Sequence, residues 1–375
     1  MNSAEKPGIT RILRPISRQK NLSDAANNYL QYYGESKLGD DDKPKAADCQ
    51  EVTVAYYDIA TDFFEYGWGE GFHFATINKG ESREHAFARH EYKLALKLGL
   101  KKGATVLVGG RLVYSGVVMT NPNAKSPPRY TIIIADIGCG VGGPGRHIAA
   151  FSETKVIGLN INEYQIKRAQ SLTKKVGLEH LCEYVKGDFC KMPFPDESFS
   201  RVYAIEATCH AADDLSRVYG DVLRILKPGG MFAFYEWIMT DKYDPENPYH
   251  QKIKNEIMIG DGLPDIVTKE TVHESLKKVG FELVEAEDLA FKSPVPWYST
   301  LQPSWNLSDF KITPLGRWAT HIMLAFLETF RLAPKGSCKI HRTLCRGADG
   351  LVIGGKEGIF SPMYIVVVRK PERDS

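Results

Sequence analysis

Between Tyr130 and Phe151 the chain reads YTIIIADIGCGVGGPGRHIAAF, an apolar β-branched run that passes through one acid into a glycine-rich turn and then a helix. A run such as Thr131–Ala135 suits a parallel strand buried on both faces, with a short helix from Gly145 to Phe151 behind it. The rest of the chain is organised around this turn. Gly138, Gly140 and Gly143 satisfy G-x-G-x-x-G, a spacing that permits a tight turn and close approach of a ligand to the backbone. Asp136 stands where the strand enters the loop, and a carboxylate there repels a pyrophosphate and attracts a cation or an ammonium group. Pro144 fits the first turn of a helix, where its missing N–H costs nothing.

The D-x-G-x-G that opens this unit resembles motif I of the S-adenosylmethionine (SAM)-dependent methyltransferases. That resemblance implies that Asp136, Gly138, Cys139, Gly140 and Gly142 bind SAM. A dinucleotide-binding loop and a purely structural glycine turn are the alternatives.

The chain's 375 residues exceed one average domain, so one large or two coupled domains are expected. A hydrophobic content of 43% and a charged content of 25% are those of a soluble globular protein, and a net charge of +2 gives no argument for nucleic acid as a partner. The seven cysteines are scattered and form no C-x-x-C pair. This disfavours a disulfide framework and a zinc site, and points to a reducing compartment. No apolar run reaches the roughly 18–20 residues a membrane-spanning helix needs, so no transmembrane span is expected. Met1–Lys20 mixes Lys6, Arg11, Arg14, Arg18 and Lys20 with Ile9, Ile12, Leu13 and Ile16. It reads as a basic membrane-surface segment, an organelle presequence or, with Pro15 interrupting any helix, a disordered tail; residues 1–46 are taken as a tail.

Tyr56–Phe74, YYDIATDFFEYGWGEGFHF, places eight aromatic residues in nineteen positions, with Asp58, Asp62, Glu65, Glu70 and His73 among them. Aromatic residues often simply fill a core. Here the pattern around Gly67, Trp68, Gly69 and Gly71 follows neither a helix nor a strand period, so the segment reads as a glycine-punctuated loop. Such a lining suits an apolar ligand that becomes positively charged, since each well-placed ring stabilises a desolvated cation by roughly 0.5–2 kcal/mol.

The blocks FFEYGWGEGFHF and KGESREHAFARHE (Lys79–Glu91), the loop DIGCGVGGPGR, and then IEATCHA (Ile205–Ala211), YEWIMTDKYDPENPYHQKIK (Tyr235–Lys254) and GDGLPD (Gly260–Asp265) follow one another along the chain. In content and order they resemble the sterol 24-C-methyltransferases, over roughly Ala55 to the C-terminus. The resemblance implies an α/β fold: a Rossmann-like class I SAM-dependent methyltransferase sheet with a C-terminal α+β sterol-methyltransferase lobe. The implied segments are 47–102 for aromatic acceptor binding, 103–240 for SAM binding and 241–375 for the C-terminal domain.

Further along, Val156–Leu159 is a short strand ending at Asn160, 22 residues after Gly138, where an acid usually holds a ribose diol; an amide can do the same. Tyr164–Val176 reads as a helix and Glu183–Lys186 as a strand leading into Asp188 and Phe189, a position that in related enzymes contacts adenine; an ordinary strand-end turn is the alternative. Arg201–Ile205 is a fourth strand, with Glu206 and His210 just beyond its carboxyl end, where α/β sheets place their ligands. These two are candidate acid–base groups, or residues that merely satisfy local backbone. With them Glu65, Tyr66 and His73 are the catalytic candidates, and Phe64, Trp68, Phe72 and Tyr235 the acceptor-binding ones. Leu226–Gly230 reads as a turn before the strand Met231–Tyr235. Gly316–Leu332 carries Trp318, Ile322, Leu324, Phe326, Leu327 and Phe330 at helical spacing and is assigned to the core rather than to a membrane face.

The resemblance also implies that a strand like Gly103–Leu107 should run directly into D-x-G-C-G, yet Val108–Ala135 stands between them. Tyr130–Ala135 is the strand expected in the sheet, because it alone joins the loop without a gap. Val106–Tyr114 has the Gly-Gly spacing of a hairpin. The interval is either a true insertion or a retained intron.

These readings lead to an enzyme that uses SAM as co-substrate, needs no metal, and methylates C24 of a Δ24-sterol side chain. The alkene attacks the sulfonium methyl, a hydride shift follows in the resulting carbocation, and a base removes a proton. The expected setting is peripheral, on the cytoplasmic face of the endoplasmic reticulum or microsomal membrane, with a homo-oligomer possible. A SAM-fold lipid-binding protein without catalysis and a NAD-dependent oxidoreductase are the rival readings.

Overall fold

Two helices precede the sheet in a computed structural model that describes residues 46–100, 113–114, 117–118, 133–303, 310, 312–333 and 336–373. The first, α1 (Ala46–Gly67), takes in the front half of the segment expected to be a loop. Tyr56, Ala60 and Phe64, four residues apart, share one face and pack with Leu344. Asp58, Asp62 and Glu65 point instead at a neighbouring helix, so two interleaved faces hide the period. Only Trp68–Phe74 is loop. Helix α2 (Arg83–Lys97) is capped by Ser82, whose side chain accepts from the His85 N–H, and buries Phe87, His90, Glu91 and Leu94.

A short antiparallel pair follows, β1 (Val113–Tyr114) with β2 (Val117–Val118); the Gly-Gly turn expected at 109–110 lies outside the described residues. Gly103–Leu107 and the tail 1–45 lie outside the described residues. The sheet opens with β3 (Ile133–Ile137), which runs straight into the glycine loop and α3 (Gly143–Ser152). The strand in the sheet is thus the second candidate, and it ends two residues later than expected, at Ile137. There follow β4 (Lys155–Asn160), α4 (Glu163–Lys175), β5 (Cys182–Lys186), β6 (Phe199–Ile205), α5 (Leu215–Ile225) and β7 (Leu226–Met239). β7 includes the Leu226–Gly230 stretch expected to be a turn; the irregularity appears as a register shift against β6. The chain ends with α6 (Pro248–Asp261), β8 (Val267–Thr268), α7 (Lys269–Val279), β9 (Glu282–Asp288), α8 (Pro314–Thr329), α9 (Ser337–Glu357) and β10 (Phe360–Arg369).

The strand order is β5-β4-β3-β6-β7-β10-β9, with β8 on β7. β3 to β7 pair in parallel, while β10 enters antiparallel between β7 and β9. Alternate residues of β7 feed opposite layers: Phe232 and Phe234 pack with Val218, Val222 and Val366, whereas Tyr235 and Trp237 pack with Leu94, Trp297 and Phe360. The expected division at residue 240/241 therefore does not follow the sheet, which draws β8, β9 and β10 from beyond it. What the C-terminal part adds outside the sheet are the helices α6, α7, α8 and α9.

Helix α8 departs from its assignment to the core. Its buried contacts come from Gly316 and Leu324, while Leu315, Trp318, Ile322, Met323, Phe326 and Phe330 face outward. Among the described residues no helix is long and apolar enough to cross a membrane.

Candidate functional site

One cleft lies at the carboxyl ends of β3, β4 and β6, between the glycine loop, α1 and the aromatic loop. Of the sequence candidates it gathers Phe72, His73, Asp136, Gly138, Cys139, Gly140, Asn160, Phe189, Glu206 and His210.

The floor is the glycine loop. Gly138 and Gly140 have φ of +74° and +53°, which other residues rarely adopt, and the Gly138 and Cys139 N–H groups both donate to the Leu159 carbonyl. A Cβ on Gly140 would point into open cleft, with nothing nearer than Phe72 at 3.7 Å. Asp136 is the penultimate residue of β3, just ahead of the loop. Burial raises its pKa to about 7, opposed by hydrogen bonding to the Tyr203 hydroxyl, and its Oδ2 lies against α3, 3.1 Å from where a Cβ on Gly145 would stand. A buried carboxylate beneath a glycine cradle suits the ammonium group of an amino-acid ligand such as SAM, and Phe189, which lines the cleft, offers a ring to a planar base. Asn160 lines the cleft, but its amide is occupied: Nδ2 donates to Gly140 O and Gln165 Oε1, and Oδ1 accepts from the Asn162 N–H. It supports the loop.

The opposite wall carries the charge chemistry. Glu206 follows β6 with φ of +51°, a strained conformation costing roughly 1–3 kcal/mol that neighbouring contacts must hold. Its Oε1 accepts from the Phe74 N–H at 2.7 Å and its Oε2 from Trp237 Nε1 at 2.9 Å. Burial pushes its pKa up to about 7, opposed by the charge of His73 and by these two donors. Glu206 thus ties the aromatic loop to the sheet and presents a buried carboxylate to the cleft. His210 is pushed down to about 4 by burial, so it is neutral at pH 7, and its Nε2 lies 2.8 Å from the Tyr57 hydroxyl.

His73 belongs to a buried network. Its Nε2 lies 3.0 Å from Glu91 Oε1 and its Nδ1 2.8 Å from Phe74 O, while the other Glu91 oxygen meets His147 Nδ1 at 2.6 Å. Glu91 is fully buried and its pKa lowered: burial raises it, and the two imidazoles outweigh that term. The His73 pKa is raised, because Glu91 overcomes the desolvation that would lower it.

Other candidates lie elsewhere. Glu65 makes a two-oxygen ion pair with Arg168, at 2.7–3.0 Å, and Asp58 and Asp62 accept from Asn162 and Tyr164. The acids of α1 therefore clamp it onto α4 instead of lining the cleft; their spacing fits a helix interface as well as a site. Glu70 borders the cleft, paired with Arg146 at 2.5 Å. Phe64 packs between Tyr56 and Phe72, and Trp68 packs edge-on to Phe74 while donating to His73 O. Tyr235 is fully buried, stacked on His90 at 3.8 Å with its hydroxyl donating to His90 O. Asp188 accepts from the Cys190 N–H and closes a turn, and Gly142 caps α3 against Tyr184. The Tyr66 side chain lies outside the described residues.

The sequence reading missed Thr53, Tyr57 and Gln165, which line the cleft, and Asp261 close to it. Asp261 follows Gly260 in the GDGLPD block; burial, reinforced by the negative charge of Glu206, raises its pKa to about 8. Its signal was an acid between two glycines.

Residues 135–234 match the family described as methyltransferase domain, and residues 307–372 that described as sterol methyltransferase C-terminal. The chain is 47% identical over 349 residues to a cycloartenol-C-24-methyltransferase of Arabidopsis thaliana, covering 93% of this chain and 95% of that one. It is 42% identical to a sterol 24-C-methyltransferase of Saccharomyces cerevisiae, covering 98% and 90%. The chain belongs to the sterol 24-C-methyltransferase family. Solved structures agree on the fold alone. A cyclopropane synthase from Mycobacterium tuberculosis matches with a TM-score of 0.63 at 18% identity, over 86% of this chain and 98% of that one. A geranyl diphosphate C-methyltransferase from Streptomyces coelicolor in complex with S-adenosyl-L-homocysteine matches with 0.57 at 12%, over 87% and 100%. Membership in the family replaces the dinucleotide and structural readings of the glycine loop with the SAM-dependent methyltransferase fold.

Proposed function

We propose that this protein transfers a methyl group from SAM to C24 of a Δ24-sterol side chain, as a step of sterol biosynthesis. The observation that carries the reading is one cleft holding two buried carboxylates with separate tasks, Asp136 under the glycine loop and Glu206 on the aromatic wall.

Asp136, with Gly138 and Gly140, would hold the amino-acid end of SAM, and Phe189 would pack on its base. When bound, SAM supplies an electrophilic methyl group on a sulfonium. Alkene addition to that methyl needs no base, so the protein's work is to align the acceptor, exclude water and manage the positive charge that appears on the side chain. Phe72 and Tyr57 offer ring faces to that charge, and the Glu206 carboxylate offers a full negative charge at low dielectric. A proton beside a carbocation is very acidic, so a weak base suffices. We assign that step to neutral His210, whose Nε2 meets the Tyr57 hydroxyl at 2.8 Å, with Glu206 as the stabilising counter-charge.

The proposed acceptor is a membrane lipid, and on that ground the reaction is assigned to a membrane surface; among the described residues no helix is long and apolar enough to cross a membrane. The test is incubation of the purified protein with methyl-labelled SAM and a panel of Δ24-sterols, followed by product identification. A C24-methylated sterol is the expected product; SAM binding without any labelled sterol across the panel overturns the reading.

A further inference from the structure

Helix α8 is amphipathic the wrong way round for a helix that serves only the core. Leu315, Trp318, Ile322, Phe326 and Phe330 recur every three or four residues and form one stripe, and that stripe faces outward: Trp318 is 62% exposed, Phe326 57% and Phe330 60%. Met323 and Leu332 widen it, and the Phe326 and Phe330 rings pack together at 4.4 Å. Single exposed apolar residues are ordinary; a contiguous aromatic face of this kind marks an interaction surface.

Two observations choose the occupant. The first is charge. Residues 311–357 carry eight Lys or Arg against three Asp or Glu, whereas the whole chain nets only +2, so the rest of the chain is net acidic. Arg331, Lys339 and Arg342 are exposed on the same helical hairpin. An aromatic stripe beside a local basic excess matches an anionic bilayer, where aromatic side chains settle at the headgroup boundary and basic ones meet phosphate. The second is continuity with the cleft. α8 packs on α9, and Leu344 of α9 packs on the Tyr56–Ala60 cluster of α1, the helix whose Tyr57 lines the cleft.

We propose that the outward face of α8 is the protein's docking surface for an anionic phospholipid bilayer, seated so that the α1–α9 seam meets the lipid from which the acceptor is drawn. The choice of a lipid acceptor rests on the proposed function; the docking itself does not.

The experiment uses the full chain and sedimentation with phosphatidylcholine vesicles, with and without about 30% phosphatidylserine. Wild-type protein is expected to sediment with the serine-containing vesicles, and a Trp318→Ala/Phe326→Ala/Phe330→Ala variant to lose at least about tenfold in affinity. The variant should keep its SAM affinity and its turnover of detergent-dispersed sterol while losing turnover of vesicle-embedded sterol. Lys339→Glu/Arg342→Glu should weaken binding to the serine-containing vesicles alone. Sedimentation of the triple variant equal to wild type overturns the proposal. So does failure of the wild type to sediment, binding that emerges only once residues 1–45 are removed, or a wild-type dimer that the triple variant dissociates, since the face then belongs to the chain's own tail or to a second copy. Should no sterol be methylated in detergent, the proposed function fails, while sedimentation still decides the docking.

Discussion

Gly260 and Gly347 meet at the crossing of α6 and α9 so closely that a Cβ on Gly260 would fall 2.1 Å from the Gly347 Cα. Only two glycines permit that approach. Gly350 and Gly354 continue the small face of α9 along α6, and the crossing sets Asp261 beside α9, near the Tyr57–His210 pair. The C-terminal helices are thereby keyed to the cleft by backbone contact.

Gly347→Leu must push the two helices apart, and should cost about 3 kcal/mol or more, at the upper end of overpacking. Gly220→Ala serves as the control. It sits inside α5 with nothing nearer to its Cβ than 3.9 Å, so gained helix propensity should leave stability equal or raised by up to about 1 kcal/mol. Urea unfolding of both variants checks this; equal midpoints would show that the crossing does not matter.

Among the described residues Glu91 is the one acid bridging His73 and His147, so Glu91→Gln leaves a buried imidazole without its counter-charge and should cost about 3–5 kcal/mol. The pH dependence follows from the signs. The lowered Glu91 pKa gives stability that is present above the ordinary carboxylate range and lost on acidification. The raised His73 and His147 values give stability that is full below the ordinary imidazole value and fades as pH rises through the shifted ones. The gap between wild type and variant should therefore be widest at about pH 5–6.5 and narrow in alkali. A gap that grows with pH contradicts the network.

Glu206 has its pKa raised to about 7, so the proton it holds stabilises the fold below the ordinary carboxylate range, and that contribution is lost as pH rises through about 7. Activity runs the opposite way, because the counter-charge exists only in the ionised form. kcat/KM should rise through that region in wild type. Glu206→Gln should abolish the rise and lower kcat by roughly a hundredfold, with SAM affinity changed little. Persistence of the same limb in Glu206→Gln would move the titration to Asp136 or Glu236, buried acids that share the value of about 7.

Gly140→Val tests the floor of the cleft. The φ of +53° strains any β-branched residue, and its side chain would project into the space beneath Phe72. SAM binding should vanish by calorimetry while far-ultraviolet circular dichroism stays unchanged; unaltered affinity in a folded variant removes the glycine loop from the site.

The sheet and the cleft floor were legible because both rest on short-range rules: β-branched runs, glycines at a fixed spacing, and acids at strand ends. Asp136, Gly138, Gly140, Glu206 and His210 all fall where those rules put them. Function of side chains whose partners lie far along the chain was not legible. Glu65 looked like a base until Arg168, more than a hundred residues away, claimed it. The α8 stripe has the period of a core helix, and nothing local says which face the rest of the chain will cover. Tyr57 and Asp261 reach the cleft region only through the packing of α1 and α6.

The last prediction concerns the interval before the sheet. α2 ends at Lys97, and Leu98 and Leu100 are buried, so the chain is already against the sheet when it reaches residue 100. β3 uses Ile133, Ile134 and Ala135, paired with Lys155, Val156 and Ile157 of β4. Deleting Val108–Ala135 joins Leu107 to Asp136 and sets Thr105, Val106 and Leu107 at those three positions. Val106 then replaces buried Ile134 and Leu107 replaces buried Ala135. The first change removes one methylene and the second adds volume, so packing alone predicts a cost of about 1–2 kcal/mol. Against this, closing a connection of some thirty residues is replaced by a direct one, a gain that grows only with the logarithm of length, about 1–2 kcal/mol. The two nearly cancel, so the shortened protein should fold, bind SAM and turn over sterol at rates close to the full chain. Loss of SAM binding on deletion would show that β3 needs its own residues, and that the interval is an integral part of this fold.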